Sequence, residues 1–452
     1  FTAGMQHSSA HARTTGDDMA IEDPAQHAPV APVNSESNAD RPAADAMGDG
    51  YRILIYSHDS FGLGHLRRCR EIAHALVESD PDLSVLILSG SPIIGSFDFH
   101  ARVDFVRIPG VIKLRDGDYV SLKLPIDIEK TLAMRESIIQ HTADIFDPDL
   151  FIVDKEPLGL RGEVKATLEL LRARGTPCVL GLRDVMDDPD MLASEWERKH
   201  VLPAIPRLYD DIWIYGLPQI CEPLEGIELP ASVRQRLTYT GYLRRLSAPH
   251  PQHLDFDKIS DPFILVTVGG GGDGEAIVDW VLRAYEEDPS IPYPALIVLG
   301  PFMGSELQSD FQRRVNLLDR VEAITFNAHV ESLMARALGV VCMGGYNTFC
   351  EVLSFDKRCI MVPRTVPRLE QAIRATRAQE LGLLRMLPDD GQRDARAMAT
   401  ALKTIRQQPR PSESVVPGLL DGRENMVKLT GQWLAQRGRR ALPLTEAKAR
   451  RW

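Results

Sequence analysis

A histidine near the predicted start of a helix is the first residue of the chain with a clear chemical use. It lies in the segment Gly64-His65-Leu66-Arg67-Arg68, which follows the short apolar run from Arg52 to Tyr56. The free amides at a helix start attract anions, and the same dipole disfavours a protonated imidazole. We therefore expect His65 to be neutral near pH 7 and to act as a general base, with Gly64 and Arg68 beside it. A histidine that bonds only to the local backbone is the structural alternative.

Ionisable residues end two later apolar runs, at positions where a parallel sheet would face a ligand. Asp154 ends one run and precedes Lys155 and Glu156, and Arg183 and Asp184 end the next. We expect Asp154 either to orient the imidazole or to contact the substrate that this base deprotonates, and Arg183 to lie on the same substrate side as Gly64 and Arg68. Capping of the following helix by Asp154 and an internal ion pair for Arg183 are the structural alternatives.

A glycine-rich loop opens the second half of the chain, from Gly269 to Gly274, and includes Gly270 and Gly271. It has the form of the dinucleotide-binding pattern GxGxxG. The next apolar run ends at Leu299 and continues with Gly-Pro-Phe, so it supplies no acid for a ribose. The loop therefore favours a phosphate site or close packing between domains, and a nicotinamide or flavin cofactor is not expected.

A second glycine loop has the strongest ligand-binding pattern in the chain. It follows the apolar run Val340 to Met343 and consists of Gly344, Gly345, Tyr346, Asn347 and Thr348. Glycines at a helix start suit a diphosphate, because the backbone can approach it closely with free amides. Glu351, about two turns into the helix, is placed to accept hydrogen bonds from both hydroxyls of a ribose. A glutamate on an ordinary helix surface is the alternative.

The apolar run Cys359 to Val362 leads into a further loop with polar residues. Arg364 is expected to pair with phosphate oxygens, and Glu370 and Gln371 to bind the hydroxyls of a sugar. A diphosphate, a ribose and a sugar are thus the groups that the loops of the second half favour.

Two parallel sheets are needed to bring these loops together. From Tyr51 onward, short apolar runs alternate with helix-length amphipathic stretches, which is typical of an α/β protein with parallel sheets. The first series of predicted strands covers Arg52 to Tyr56, Ser84 to Ser89, Val103 to Ile108, Leu150 to Asp154, Cys178 to Leu182 and Asp211 to Tyr215. The second covers Phe263 to Val268, Ala295 to Leu299, Ala323 to Phe326, Val340 to Met343 and Cys359 to Val362. The sequence predicts two doubly wound domains in tandem, with ligands at the carboxyl ends of the strands.

Composition sets the predicted domain limits. Residues 1–50 contain no Leu, Tyr or Trp and are predicted to form a disordered tail. A first domain is predicted over 51–246, a proline-rich linker over 247–262 and a second domain over 263–417. A helix and a basic tail complete residues 418–452, and we expect the tail, with six bases and one acid from Arg437 onward, to be a solvated chain end.

The overall composition excludes several classes of protein. The chain has 452 residues, of which 44% are apolar and 25% charged, as in ordinary globular proteins. Residues 1–50 hold two bases and eight acids and so supply −6 of the net charge of −11. The remaining residues carry a net charge of −5, and such a mildly acidic chain is not expected to present the basic face that nucleic acid requires. No apolar run approaches the roughly 18 residues of a membrane span.

Neither a metal site nor a disulfide framework is expected. The six cysteines form no CxxC pair, so the reduced thiols of a cytoplasmic protein are predicted. The triplet Asp116-Gly117-Asp118 has the form of a metal-binding DxD motif. In a chain so rich in aspartate such triplets arise by chance, and we assign it no metal.

From Tyr51 to about Arg437 the chain resembles the two-domain GT-B glycosyltransferases. It is most similar to MurG-type transferases and to relatives with a family 28 C-terminal domain, because a glycine pair, Glu351, Val362-Pro363 and Gln371 follow their order and spacing. The resemblance implies two Rossmann-like domains that face a central cleft. The nucleotide sugar would then bind in the second domain and the acceptor in the first.

The same resemblance implies roles for individual residues. Glu351 would hold the ribose, Gly345 to Thr348 the diphosphate, and Glu370 with Gln371 the donor sugar. The loop that contains His329 and Val330 would contact the nucleotide base through its backbone.

The first domain has a second resemblance. The segment Gly62-Leu63-Gly64-His65, followed by Arg68 and Cys69, is similar to PseG-type UDP-sugar hydrolases, in which the matching histidine acts near the attacking group.

The expected function is an inverting, metal-independent glycosyltransferase that needs no cofactor. It would move a sugar from a nucleotide-diphosphate sugar, with UDP as the expected nucleotide, to a hydroxyl of a glycan, a lipid or a small molecule. A PseG-like hydrolase and a non-catalytic sugar-nucleotide-binding subunit are the alternatives. A lipid acceptor would add peripheral contact with the inner face of a membrane.

Overall fold

The computed structural model describes residues 50–59, 64–113, 119–246, 256–270, 272–327 and 329–437. Outside these ranges lie the predicted N-terminal tail, most of the predicted linker, the Asp116-Gly117-Asp118 triplet, Gly271 and the basic C-terminal tail. The described residues form one compact unit that contains two parallel sheets.

The first sheet is built almost entirely from buried aliphatic strands, as parallel sheets covered on both faces require. Its strands are β1 (Arg52–Ser57), β2 (Ser84–Ser89), β3 (Val103–Arg107), β6 (Leu150–Asp154), β7 (Cys178–Arg183), β8 (Asp211–Tyr215) and β9 (Leu237–Tyr239). They pair in the order β3-β2-β1-β6-β7-β8-β9, and every pair is parallel. A separate antiparallel hairpin joins β4 (Val111–Lys113) to β5 (Tyr119–Ser121).

The second sheet repeats this winding. Its strands are β10 (Ile264–Thr267), β11 (Ala295–Val298), β12 (Val321–Ile324), β13 (Gly339–Cys342), β14 (Arg358–Met361) and β15 (Arg385–Met386). They pair in the order β12-β11-β10-β13-β14-β15, again all parallel. In both sheets the strand order reverses beside the first strand, and ligands of doubly wound folds bind at that point.

Helices connect the strands of both sheets. The first domain contains α1 (Gly64–Ser79), α2 (Ile128–Phe146), α3 (Lys165–Ala173), α4 (Pro189–Arg198), α5 (Ile205–Leu208) and α6 (Ala231–Arg234). The remaining helices are α7 (Glu275–Glu287), α8 (Ser305–Asn316), α9 (Val330–Arg336), α10 (Tyr346–Ser354), α11 (Glu370–Glu380), α12 (Ala395–Lys403) and α13 (Gly422–Arg437). Asp127, Asp188 and Asp394 cap α2, α4 and α12 by accepting a hydrogen bond from the second residue of each helix.

The predicted α/β class with two doubly wound parallel sheets is confirmed. The sequence did not reveal β9, β15 or the β4–β5 hairpin, because strands of two or three residues are too short to show a periodic pattern. The strand predicted over Ala323 to Phe326 was placed two residues late, since β12 begins at Val321 and carries the polar Glu322.

The C-terminal helix α13 does not extend the second domain. It returns to the first domain, where it packs against α1 and β6. Arg423 forms ion pairs with Glu71 and Glu78 of α1, and Arg437 donates to the carbonyl oxygen of Pro148 at 3.0 Å. The chain therefore crosses between the two domains twice.

A buried ion pair joins the two domains between Asp184, which follows β7, and Arg374 of α11. Nε and a terminal nitrogen of Arg374 each lie 2.6 Å from one of the two carboxylate oxygens, and neither side chain is exposed to solvent. The Tyr242 hydroxyl donates to the same carboxylate at 2.8 Å, and Arg374 also donates to the carbonyl oxygen of Gly344 at 2.8 Å. Asp184 is thus paired across the domain boundary and not with Arg183.

Replacing Arg374 by methionine is expected to destabilise the protein by about 3–5 kcal/mol, because it leaves the Asp184 carboxylate buried without its cation. The measurement is the free energy of unfolding in urea. The matched control is Arg377→Met in the same helix, which breaks an exposed pair with Glu380 and should cost less than about 1 kcal/mol. Equal losses in the two variants would contradict this role of the buried pair.

Candidate active site

A cavity of about 260 Å³ lies between the carboxyl ends of the two sheets. We call it the interdomain cleft. Most of the residues predicted from the sequence line it, namely Gly64, His65, Arg68, Arg183, Gly270, Val330, Gly345, Tyr346, Asn347, Thr348, Arg364, Glu370 and Gln371. Asp154, His329, Gly344 and Glu351 do not line it, and Gly271 lies outside the described residues.

His65 is the second residue of α1 and faces the cleft. Its Nδ1 lies 2.5 Å from Oδ2 of Asp154, the last residue of β6. Strands β1 and β6 are neighbours in the sheet. The helix that follows β1 and the end of β6 therefore meet at one edge, which brings the two side chains together.

Arg68 also binds the Asp154 carboxylate. Its Nε lies 2.8 Å from Oδ1, and one terminal nitrogen lies 2.7 Å from Oδ1 and 2.8 Å from Oδ2. Burial alone would raise the pKa of Asp154, but Arg68 and then His65 hold that pKa well below its usual range. Asp154 is therefore ionised at neutral pH.

The ionised carboxylate determines which nitrogen of His65 carries the proton. A terminal nitrogen of Arg68, which can only donate, also lies 3.0 Å from Nδ1. The carboxylate can only accept, and its contact with Nδ1 is the shorter one at 2.5 Å, so we assign the proton to Nδ1 and the lone pair to Nε2. Burial lowers the pKa of His65, although Asp154 acts in the opposite direction. The imidazole is thus neutral at pH 7, with Nε2 available as a base.

Asp59 fixes the start of α1, and sequence reasoning missed it. Its Oδ1 accepts from the backbone amide of Leu66 at 3.2 Å, and its Oδ2 accepts from the hydroxyls of Ser57 and Ser89 at 2.6 and 2.5 Å. The signal was an aspartate between a strand and a helix, which is a common capping arrangement. Through this contact Asp59 sets the position of His65, one residue before Leu66.

The N-terminus of α10 forms the opposite wall of the cleft. Gly345 precedes the helix, and Gly344 has a positive φ of 92°. A Cβ at Gly344 would lie 2.6 Å from Sδ of Met361, so only glycine fits this turn. The first amides of the helix are consequently held at the cleft, where they can bind an anion.

Asn347 does not present a free side chain to a ligand. Its Nδ2 donates to the carbonyl oxygen of Gly64 at 2.9 Å, and its Oδ1 accepts from Arg245 at 2.6 Å. The side chain therefore connects the start of α1 with the start of α10. Its contribution to the cleft is structural, and the helix amides remain the anion-binding groups.

Glu351 is buried behind the cleft wall and pairs with Arg67 of α1, which also pairs with Glu331 at 2.7 Å. Sequence reasoning missed this contact. Burial raises the pKa of Glu351 to about 7, with Arg67 opposing the shift and Glu331 adding to it. The role of Glu351 in ribose binding stays a prediction, and it requires Arg67 to share the carboxylate.

The loop between β14 and α11 is held by Arg364. This guanidinium pairs with Asp273 and, at 2.7 Å, with Glu370. The backbone amide of Arg364 donates to Oε1 of Gln371 at 3.3 Å. Glu370 and Gln371 are consequently fixed at the cleft surface, where both line the wall.

His329 lies beside the cleft, at the start of α9. Its backbone amide donates to Oδ1 of Asn327 at 2.7 Å, and its Nε2 lies 3.8 Å from the carboxylate of Asp98 in the first domain. Asn327 and Val330 line the cleft on either side of it. Base recognition through this backbone stays a prediction.

Residues 263–409 match the model of the glycosyltransferase family 28 C-terminal domain. A search of curated proteins returns no match. Solved structures with the same fold cover almost the whole described chain. A UDP-glucosyltransferase from Polygonum tinctorium that glucosylates indoxyl has a TM-score of 0.56 at 13% identity, over 85% of this chain and 99% of that chain.

Two further structures show the same two-domain arrangement. UGT2 of Phytolacca americana, complexed with UDP-2fluoro-glucose and pterostilbene, has a TM-score of 0.55 at 14% identity, over 85% of this chain and 100% of that chain. The glycosyltransferase VinC, in complex with DTDP, has a TM-score of 0.53 at 16% identity, over 86% and 100%. This chain has the GT-B fold, and its second domain matches the glycosyltransferase family 28 C-terminal domain.

The predicted likeness of the first domain to PseG-type hydrolases gains no support from these matches and stays a prediction. Gly62 and Leu63, which carry part of it, lie outside the described residues. Within the described ranges, no group of three or more His, Cys, Asp or Glu side chains is arranged to hold a metal ion. None of the described helices is long and apolar enough to span a membrane.

Titration of Glu351 is expected to lower the stability of the protein as the pH rises from about 4.5 to about 7. It opposes the contributions of His58, His65 and His74, whose pKa values are lowered. The folded pKa of Glu351, about 7, lies above its ordinary value of 4.5, so this carboxyl group binds more protons in the folded protein than in the unfolded chain over this range. The slope contributed by one such group is up to about 1.4 kcal/mol per pH unit. The measurement is the free energy of unfolding against pH.

The variant Glu351→Gln should lose this part of the pH dependence, and the exposed control Glu380→Gln should retain it. Parallel curves for wild type and Glu351→Gln would show that Glu351 does not titrate near neutrality.

Proposed function

We propose that this protein is a glycosyltransferase that transfers a sugar from a nucleotide-diphosphate sugar to a hydroxyl acceptor in a single displacement that inverts the anomeric centre. UDP is the nucleotide we expect. The observation that carries the proposal is the 2.5 Å contact between His65 and Asp154 at a cleft whose other wall is the N-terminus of α10. A base and an anion-binding helix start thus face one space from opposite domains.

In this reaction Nε2 of His65 takes the proton of the acceptor hydroxyl, and the acceptor oxygen forms a bond to the anomeric carbon. The bond from that carbon to the diphosphate oxygen breaks on the opposite face, and the nucleoside diphosphate leaves with the electron pair. Asp154 keeps Nδ1 protonated and stabilises the imidazolium that forms. Because the acceptor must reach His65, it binds on the side of the first domain.

The departing diphosphate is stabilised by the first amides of α10 and by the positive end of its dipole. Arg364, fixed by Asp273 and Glu370, adds a guanidinium at the same wall. These groups supply the positive charge that a divalent cation provides in other phosphate-transfer sites. We therefore expect no metal requirement.

The test is release of nucleoside diphosphate from a panel of UDP-, GDP- and dTDP-sugars, with lipid and glycan extracts as acceptors. His65→Gln and Asp154→Asn should each reduce turnover by about 10²–10⁴-fold, because general base catalysis contributes that much. The exposed His141→Gln on α2 is the matched control and should retain wild-type turnover. Unchanged turnover in folded His65→Gln would contradict the mechanism.

Wild-type turnover should stay level down to about pH 6.5 and decline only at more acidic pH, because the reaction needs unprotonated His65 and its pKa lies below the ordinary value. A rate that rises on acidification would be inconsistent with a base at this position. The profile is measured at saturating donor, with the fold checked by circular dichroism at each pH.

Addition of EDTA is expected to leave the rate within about twofold, because the helix start and Arg364 compensate the diphosphate charge. Loss of activity that Mg²⁺ or Mn²⁺ restores would contradict metal independence. Fast diphosphate release by wild type with no acceptor present, lost in His65→Gln, would instead assign the protein to the nucleotide-sugar hydrolases, with water as the acceptor.

A further inference from the structure

Four buried polar atoms of residues that line the interdomain cleft have no hydrogen-bond partner, and they include the hydroxyl of Tyr346 and Nε of Arg364. The other two belong to oppositely charged side chains from different domains: Nε of Arg183, at the end of β7 in the first domain, and Oε2 of Glu370, at the start of α11 in the second. Both residues line the cleft. A buried guanidinium nitrogen or carboxylate oxygen without a partner is costly, so a native structure that keeps both needs a reason.

Arg183 differs from the other cations of the cleft wall. Arg67 pairs with Glu331 and Glu351, Arg68 with Asp154, and Arg364 with Asp273 and Glu370. Among the cleft-lining arginines of the described chain, Arg183 has neither a hydrogen bond nor an ion pair. Burial lowers its pKa to about 10, and Glu370 is the nearest strong opposing influence. Arg183 and Glu370 therefore interact electrostatically, although no hydrogen bond or ion pair joins their side chains.

The domain junction holds the backbone on both sides of this pair. Asp184, the residue after Arg183, is held by Arg374, which lies one helical turn after Glu370. Arg364 binds the other carboxylate oxygen of Glu370, Oε1, at 2.7 Å. Arg183 and Glu370 are therefore brought to the same cleft by a buried contact between the domains, and Oε2 of Glu370 is left for a further donor.

We propose that Arg183 adds a donor to the sugar site from the first domain: beside Glu370, for which the resemblance already implies contact with the donor sugar, Nε of Arg183 donates to a hydroxyl oxygen of that sugar while a hydroxyl donates to Oε2 of Glu370. This rests on the proposed nucleotide-sugar function and narrows the class of sugar. A hydroxyl both donates and accepts, so it satisfies both atoms, whereas a carboxylate of a uronic acid would be repelled by Glu370. A sugar deoxygenated at this position would leave both atoms unpaired and be rejected.

The experiment measures the affinity of the full-length protein for nucleotide and nucleotide sugar separately. Calorimetric titrations use UDP, UDP-glucose, UDP-galactose, UDP-N-acetylglucosamine and UDP-glucuronate, with the GDP and dTDP series if UDP does not bind. Arg183→Met is compared with wild type and with Arg207→Met, which removes an exposed arginine paired to Glu169 on the outer helices. Arg183→Lys tests whether charge without the guanidinium geometry suffices.

In Arg183→Met the dissociation constant of the best neutral nucleotide sugar should rise about 10-fold or more, as expected for loss of a charged hydrogen bond. That of the nucleoside diphosphate alone should change less than about twofold. Arg183→Lys should lie between, and UDP-glucuronate should bind wild type more weakly than UDP-glucose. The melting temperature of Arg183→Met without ligand should equal or exceed that of wild type, because a buried cation without a partner has been removed.

Three results would overturn the inference. Equal losses for diphosphate and nucleotide sugar would place Arg183 at the phosphates. Unchanged affinity for every sugar would leave it without a ligand role, and a lowered melting temperature with uniform weakening would make it structural. If wild type binds no nucleotide or nucleotide sugar at all, the proposed function itself fails, which is distinguishable from a wild type that binds while Arg183→Met is normal.

Discussion

The position and protonation of His65 in the proposed active site depend on the contact between Arg68 and Asp154. It is buried and made through three short nitrogen–oxygen distances, and it keeps the carboxylate ionised at the end of β6. Because Arg68 follows His65 by three residues on α1, both side chains reach the same carboxylate. The direction of the imidazole and the location of its proton follow from this one arrangement.

The same helix connects the catalytic group to the domain junction. Arg67, between His65 and Arg68, pairs with Glu331 and Glu351 of the second domain, and the carbonyl oxygen of Gly64 accepts from Asn347 at 2.9 Å. The start of α1 thus contacts the start of α10, which we propose to hold the diphosphate. Base and leaving-group site are fixed relative to each other by contacts within a few residues, and a change in domain closure would alter both together.

The sequence predicted what local pattern and parallel-sheet geometry determine. Buried strands are recognisable as aliphatic runs, and their carboxyl ends must meet at a shared edge, so residues such as His65, Gly345 and Glu370 could be assigned to one cleft. Pairings between residues far apart in the chain have no local signature. Three features depend on how the domains dock and were therefore seen only in the structure. They are the ion pair between Glu351 and Arg67, the return of α13 to the first domain and the unpaired side chain of Arg183.

The central claim is that His65 is a neutral base whose proton lies on Nδ1, and nitrogen NMR of protein labelled with ¹⁵N-histidine tests it most directly. The His65 signals are assigned by their loss in His65→Gln. The account predicts a protonated Nδ1 and an unprotonated Nε2 at pH 7, with titration below the ordinary histidine pKa of about 6.5. An imidazolium at pH 7, or a neutral ring with its proton on Nε2, would contradict it.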